Sequence, residues 1–201
     1  HGLLRAYGIV RAETEQRAAR LSPEDQVVQS MPDASPVKWH RAHTTWFFEK
    51  FVLERHDPAY RPYDERFAFL FNSYYVAAGP RHARPQRGLI TRPDTAEVAA
   101  YRRHVDAAME VLMANADART LSDLLSVVEI GLNHEQQHQE LLLTDIKHAF
   151  AQNPTAPIYD PDWQWPASAP ERLPSGDAVL PEGIHVIGHQ GDGFCYDNEE
   201  P

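Results

Sequence analysis

Cysteine is almost missing from this chain: Cys195 stands alone in 201 residues. No internal disulfide can form, and such sparing use fits a reducing compartment, so a cytoplasmic location is expected. No apolar run approaches the ~20 residues that a bilayer-spanning helix needs. No basic segment followed by an apolar one marks a secretion signal. Positive charge is also short, with 19 Lys and Arg against 29 Asp and Glu and a net charge of −10. That balance argues against a nucleic-acid backbone or an anionic membrane surface as the main partner. What is present is 42% hydrophobic and 24% charged residues, enough for a sizeable core and too apolar for bulk disorder. The 11 histidines and 16 prolines are unevenly spread. The chain opens on His1 rather than Met and stops on GDGFCYDNEEP. It is therefore expected to be part of a longer protein.

Hydrophobic periodicity predicts helices over the first 150 residues or so. Residues 3–20 carry Leu4, Ile9 and Ala12 between charged positions, and Ser22-Pro23 ends the run. Ser35-Pro36 reads as an N-cap followed by proline in the first turn, opening a second helix to about Arg55. RFAFLFNSYYVAAG is expected to form a short helix closed by Gly79-Pro80, although an aromatic run also fits a strand. RHARPQRGLITRP reads as a loop. Asp94 with Glu97 resembles a capping box at the start of a fourth helix, which has Val98, Tyr101, Val105, Met109 and Leu112 on one stripe. A fifth helix is predicted from Thr120 to about Gln152. A bundle is the economical packing for such a set. Residues 154–182, dense in proline, read as a linker or strap. Residues 183–201, with β-branched residues between glycines, read as strand and turn.

The sharpest chemical signal is GLNHEQQHQELLL. His134 and His138 are four apart, so both imidazoles leave one helix face, with about 6 Å between them. Val127, Ile130 and Leu141 share that stripe, so the face is expected to point inward. A buried histidine pair is costly unless something satisfies it, and one metal ion would do so. A third ligand is available in the second helix, where His43 sits among Trp39, Trp46 and Phe47. His40, a turn earlier, reads as an outer or surface group. Three neutral imidazoles suit Fe, Zn, Cu or Ni rather than Mg or Ca, and spacing does not choose among them. HEQQH also matches the H-E-x-x-H zinc-protease helix, with Glu135 as general base. The longer metzincin extension is absent. A glutamate ligand would then have to come from the proline-rich strap, for example Glu171, and the upstream histidines would go unexplained. Arg84 and Arg87 could clamp a carboxylate or form a solvated basic turn. Gln137, between the two histidines, could meet a substrate or simply face water. Glu140 and Asp145 read as solvated or outer groups, and Cys195 as a core residue rather than a nucleophile.

Taken in order, SPVKWHRAHTTWFFEKFVL, FAFLFNSYY, GPRHARPQRGLITRP and GLNHEQQHQELLLTDIKHAFAQNP resemble the DinB-like N-terminal domain of the EgtB-type sulfoxide synthases. These are the non-haem iron enzymes of ergothioneine biosynthesis. The tail VIGHQGDGFCYDNEEP is similar to the opening of the family's second domain, which is like the formylglycine-generating (FGE) sulfatase-modifying enzymes and has a C-type-lectin-like α+β fold. The resemblance implies a mainly α chain: a DinB-like four-helix bundle over residues 1–153, a linker over 154–182, and the start of the FGE-like domain over 183–201. It implies that His43, His134 and His138 hold Fe(II), that Arg84 and Arg87 bind the thiol substrate's carboxylate, and that Gln137 contacts hercynine, the trimethylated histidine. His40 is not a ligand in that pattern. The implied reaction is O2-dependent and joins a cysteine-type thiol (cysteine or γ-glutamylcysteine) to the imidazole carbon of hercynine, with sulfur oxidised to the sulfoxide. The family's catalytic tyrosine belongs to the second domain and is expected beyond Pro201. Tyr196 is not assigned that role, and no catalytic residue is assigned within this chain. Ovothiol- and selenoneine-type synthases remain near alternatives. A DinB-like thiol transferase or hydrolase using Zn or Ni, and a non-catalytic metal-binding module, are alternatives of other classes.

Overall fold

The computed structural model describes residues 2–73, 79–164, 176–177 and 179–201. It divides into two compact units, His1–Tyr159 and Asp160–Pro201. The first is mainly helical. Helix α1 spans Gly2–Ala19, α2 Val37–Phe48, α3 Phe67–Phe71, α4 Thr95–Asn115 and α5 Ala118–Ala151.

The helix starts follow the capping chemistry of the sequence. Asp94 accepts the backbone N–H of Glu97, and Asp117 accepts that of Thr120 at the head of α5, so α5 begins slightly before its predicted start. Ser35 departs from expectation. Its hydroxyl does not cap α2 but accepts a hydrogen bond from Arg87. Helix α2 runs on through a π-helical stretch, Glu49–Leu53, and a last turn, Glu54–His56. The wide turn places the Glu49 carboxylate inside, where it accepts from the hydroxyls of Tyr60 and Tyr101, both at 2.6 Å, and from the Tyr63 N–H at 3.1 Å. Helix α3 is shorter than predicted because the backbone turns extended at Asn72; the rest of that call, residues 74–78, lies outside the described residues. Arg84–Leu89, read as loop, forms a 3-10 helix.

All of α2 is buried, because α1, α4 and α5 pack around it. The main core joins Trp39, Trp46, Phe48, Val52 and Leu53 of this segment to Phe71, Tyr101, Met109, Leu124 and Val128. Helix α5 corrects the predicted orientation. Ile130 and Leu141 are 42% and 39% exposed, and the buried residues are instead Leu124, Val128, Gly131, Leu132, His134, Glu135, Gln139, Leu142 and Ile146. Of the histidine face, His134 is buried as expected and His138 sits at the border of the core. Two charged or polar positions, Glu135 and Gln139, are buried among these leucines, because α1 meets them with Arg11 and Thr14.

Gly131 lets α2 and α5 approach. A Cβ there would lie 2.5 Å from the Phe48 ring and 2.8 Å from that of Phe47. Alanine would gain about 1 kcal/mol of helix propensity, yet two rings locked in the core must shift, at a cost of ~1–3 kcal/mol or more. Gly131→Ala is expected to lower the urea midpoint with unchanged m-value; a raised midpoint would refute the close-packing account.

In the second unit, the described residues form no strand; a 3-10 turn, Asp197–Glu199, is its only regular element among them. The Tyr196 N–H donates to the Glu199 carboxylate at 2.8 Å, and the His189 N–H reaches the Glu199 carbonyl at 2.7 Å. A strand needs a ladder of such bonds, so the strand expectation for residues 183–201 is corrected. Cys195 is accordingly part-exposed, not a β-core residue. Glu171 lies outside the described residues.

Candidate metal centre and adjoining cleft

His43 projects from the middle of α2, where its ring is stacked between Trp39, with centroids 4.5 Å apart, and Trp46, at 5.5 Å. Its Nδ1–H donates to the Phe71 carbonyl at 2.5 Å, which fixes the tautomer and leaves the Nε2 lone pair free to bind. His134 and His138 descend from α5. The three ring centroids form a near-equilateral triangle of 4.9, 4.7 and 4.6 Å. One nitrogen from each ring lies within 4.8 Å of the others.

Burial suppresses the charged form of all three imidazoles. His134 is held down to about 4. His43 and His138 lie well below the usual histidine range, first through burial and then through neighbouring histidines. They are thus neutral bases at physiological pH, the form that ligates. The His43 and His134 Nε2 atoms face each other at 3.2 Å, while His134 Nδ1 is buried without a hydrogen-bond partner among the described residues. Three uncharged, converging nitrogens with one such orphan form a donor set that fits a single borderline metal ion.

These rings form one wall of a cleft of about 500 Å³, also lined by Trp39, Arg84, Arg87, Gln137 and Asp145. All six site residues read from the sequence therefore line one space, although their motifs lie far apart in the chain. Arg87 is buried and braced: its guanidinium donates to the hydroxyls of Ser35 at 2.9 Å and Ser73 at 3.1 Å, and lies 3.4 Å from the Trp39 ring centroid. Arg84 is half-buried, donating through Nε and Nη2 to the Asp33 carbonyl. Cationic forks at the wall of a cleft suit a carboxylate.

Glu135 does not join this space. It follows His134 by one residue, so it leaves the helix about 100° round, on the face toward α1. There its carboxylate accepts from Thr14 at 2.6 Å, Arg11 at 2.9 Å and Arg102 at 2.9 Å. Burial pushes its carboxyl up, and the two guanidinium groups more than reverse this, leaving it at about 2. Such a carboxylate neither reaches the cleft nor accepts a proton near neutrality, so the general-base role required by the zinc-protease reading fails on geometry.

The sequence reading undervalued two residues. His40 is buried, not at the surface, and Asp145 lies beside it. The signal existed: Asp145 is seven residues after His138, two turns along the same face.

A helical bundle with three histidines at the edge of its core defines a metal-site protein of the DinB-like kind. The chain belongs to the DinB superfamily, whose family model matches residues 6–142. DinB-like domains are commonly metal-dependent enzymes. No curated protein matches the chain. Among the described residues, no helix is long and apolar enough to cross a membrane.

Proposed function

We propose that this chain is the metal-binding bundle of an iron(II)- and O2-dependent sulfoxide synthase of ergothioneine biosynthesis, an oxidoreductase that joins hercynine to a cysteine-type thiol. The observation carrying this reading is the convergence of His43, His134, His138, Arg84, Arg87 and Gln137 on one cleft. Iron(II), held by the three histidines, would supply oxygen activation and a preference for thiolate over thiol.

The rest follows from the chain's own side chains. Arg87, clamped by two serine hydroxyls and the Trp39 face, presents a fixed fork for the thiol's carboxylate, and Arg84 adds a second cation. Gln137, one residue before His138, offers an amide at the cleft for the second substrate's imidazole. Trp39 and Trp46 restrict the His43 ring and shield its side of the site from water. The proposal includes a cytoplasmic enzyme in which residues 1–153 form the bundle and 154–182 link it to an FGE-like domain beginning at 183–201. That domain would bring the tyrosine. No nucleic acid or membrane is needed.

Oxygen uptake by the full-length, iron-loaded enzyme tests the reading. Consumption is expected only when hercynine and cysteine or γ-glutamylcysteine are both present, with sulfoxide as product. Anaerobic turnover of a thiol would favour the DinB-like transferase or hydrolase, and anaerobic peptide cleavage would revive the protease.

A further inference from the structure

His40 and Asp145 are left over by this reading, yet both line the cleft. Their contacts form a chain with a readable direction. The Asp145 Oδ2 lies 2.9 Å from His40 Nε2 and accepts the Ser35 N–H at 2.8 Å. The His40 Nδ1 lies 2.8 Å from His138 Nδ1. A carboxylate has only lone pairs to offer, so His40 must carry its hydrogen on Nε2. A neutral His40 then has only a lone pair at Nδ1, and the hydrogen in the short contact belongs to His138 Nδ1. His138 is left with a bare Nε2.

We propose that Asp145 and His40 are positioning residues that lock His138 in its Nδ1–H tautomer, so that its Nε2 is the atom presented to the metal. The proposal rests on the three-histidine metal reading and is independent of which reaction the enzyme performs. It parallels His43, whose Nδ1–H is held by the Phe71 carbonyl, but here a side-chain pair supplies the acceptor. Burial of His40 at 3% exposure keeps water from substituting for it. A partner of this kind typically contributes about 10–100-fold in metal affinity.

The same chain ties the metal face to the arginine cleft. Ser35 donates its N–H to Asp145 and accepts from Arg87 at its hydroxyl. One residue of the segment before α2 thus braces both the carboxylate fork and the relay to His138.

Nitrogen-15 NMR of the metal-free chain reads the tautomer directly, and Co(II) titration reads the affinity. Wild-type His138 is expected as Nδ1–H. In His40→Phe it should become a tautomer mixture, with Co(II) binding weakened ~10–100-fold. His40→Gln, whose amide oxygen can accept from Nδ1–H, should restore the tautomer and most of the affinity. If His40→Phe fails to fold, Asp145→Ala tests the same chain and should loosen the tautomer. Ordinary Co(II) binding with an Nε2–H His138 in the wild type, or wild-type affinity and tautomer in the folded variants, overturns the proposal alone. Absence of Co(II) binding in the wild type overturns the three-histidine reading, and this proposal with it.

Discussion

His138→Ala is expected to strip the protein of its metal, weakening binding at least about a hundredfold, since loss even of an outer partner of a ligating histidine costs 10–100-fold. The argument is geometric. His138 is the corner of the triangle that makes the near-equal 4.7 and 4.6 Å contacts with His43 and His134. Without it, two imidazoles remain, and water must take the vacated position. Folding should survive, because the His138 face borders the cleft and the α5 residues that carry the packing lie on another stripe. Metal content after dialysis is the measurement, with His104→Ala as the control: His104 is an exposed histidine whose Nε2 meets the Arg61 carbonyl and whose ring lies against Tyr60 and Tyr63. Undiminished metal in His138→Ala, or equal loss in the control, would remove the site.

Much of this was legible in the residue pattern, and the failures have common causes. Apolar periodicity located α1, α4 and α5 to within a few residues, because amphipathic helices advertise themselves and Asp94 marks the start of α4. Periodicity misjudged the rotation of α5, since it counts Ile130 and Leu141 as inward and gives no reason to bury a charged residue such as Glu135. The reverse holds because α1 supplies Arg11, and α4 supplies Arg102, to neutralise a carboxylate in the core. Such pairing between distant segments leaves no local trace. The pattern likewise read Ser35 as a cap, since nothing near it in sequence reveals that Arg87 takes its hydroxyl. The histidine pair was legible because a spacing of four is a local property of helices, whereas the part of His40 depends on Asp145, over a hundred residues away.

The Glu135 network sets the second large expectation. Around it Arg11, Arg41 and Arg102 meet Glu135, Glu15 and Asp106, so three cations are matched by three carboxylates. Glu135 is the fully buried one of the three carboxylates. Glu135→Gln leaves one positive charge unmatched in the interior, which typically costs ~3–5 kcal/mol and lowers the melting temperature by on the order of 10 °C. Metal content of the folded protein should be unchanged, because the carboxylate faces away from the histidines. The acid response follows from the same contacts. With its carboxyl at about 2 against an ordinary 4.5, Glu135 binds a proton more readily when unfolded than when folded. Its contribution, roughly 3 kcal/mol from that difference, is therefore complete above pH ~4.5 and is lost as pH falls toward ~2. Denaturant titrations at a series of pH values should show that loss in the wild type and a flatter profile over the same window in Glu135→Gln. If the variant kept wild-type stability but lost hydrolytic activity, Glu135 would be catalytic after all and the buried-network account wrong.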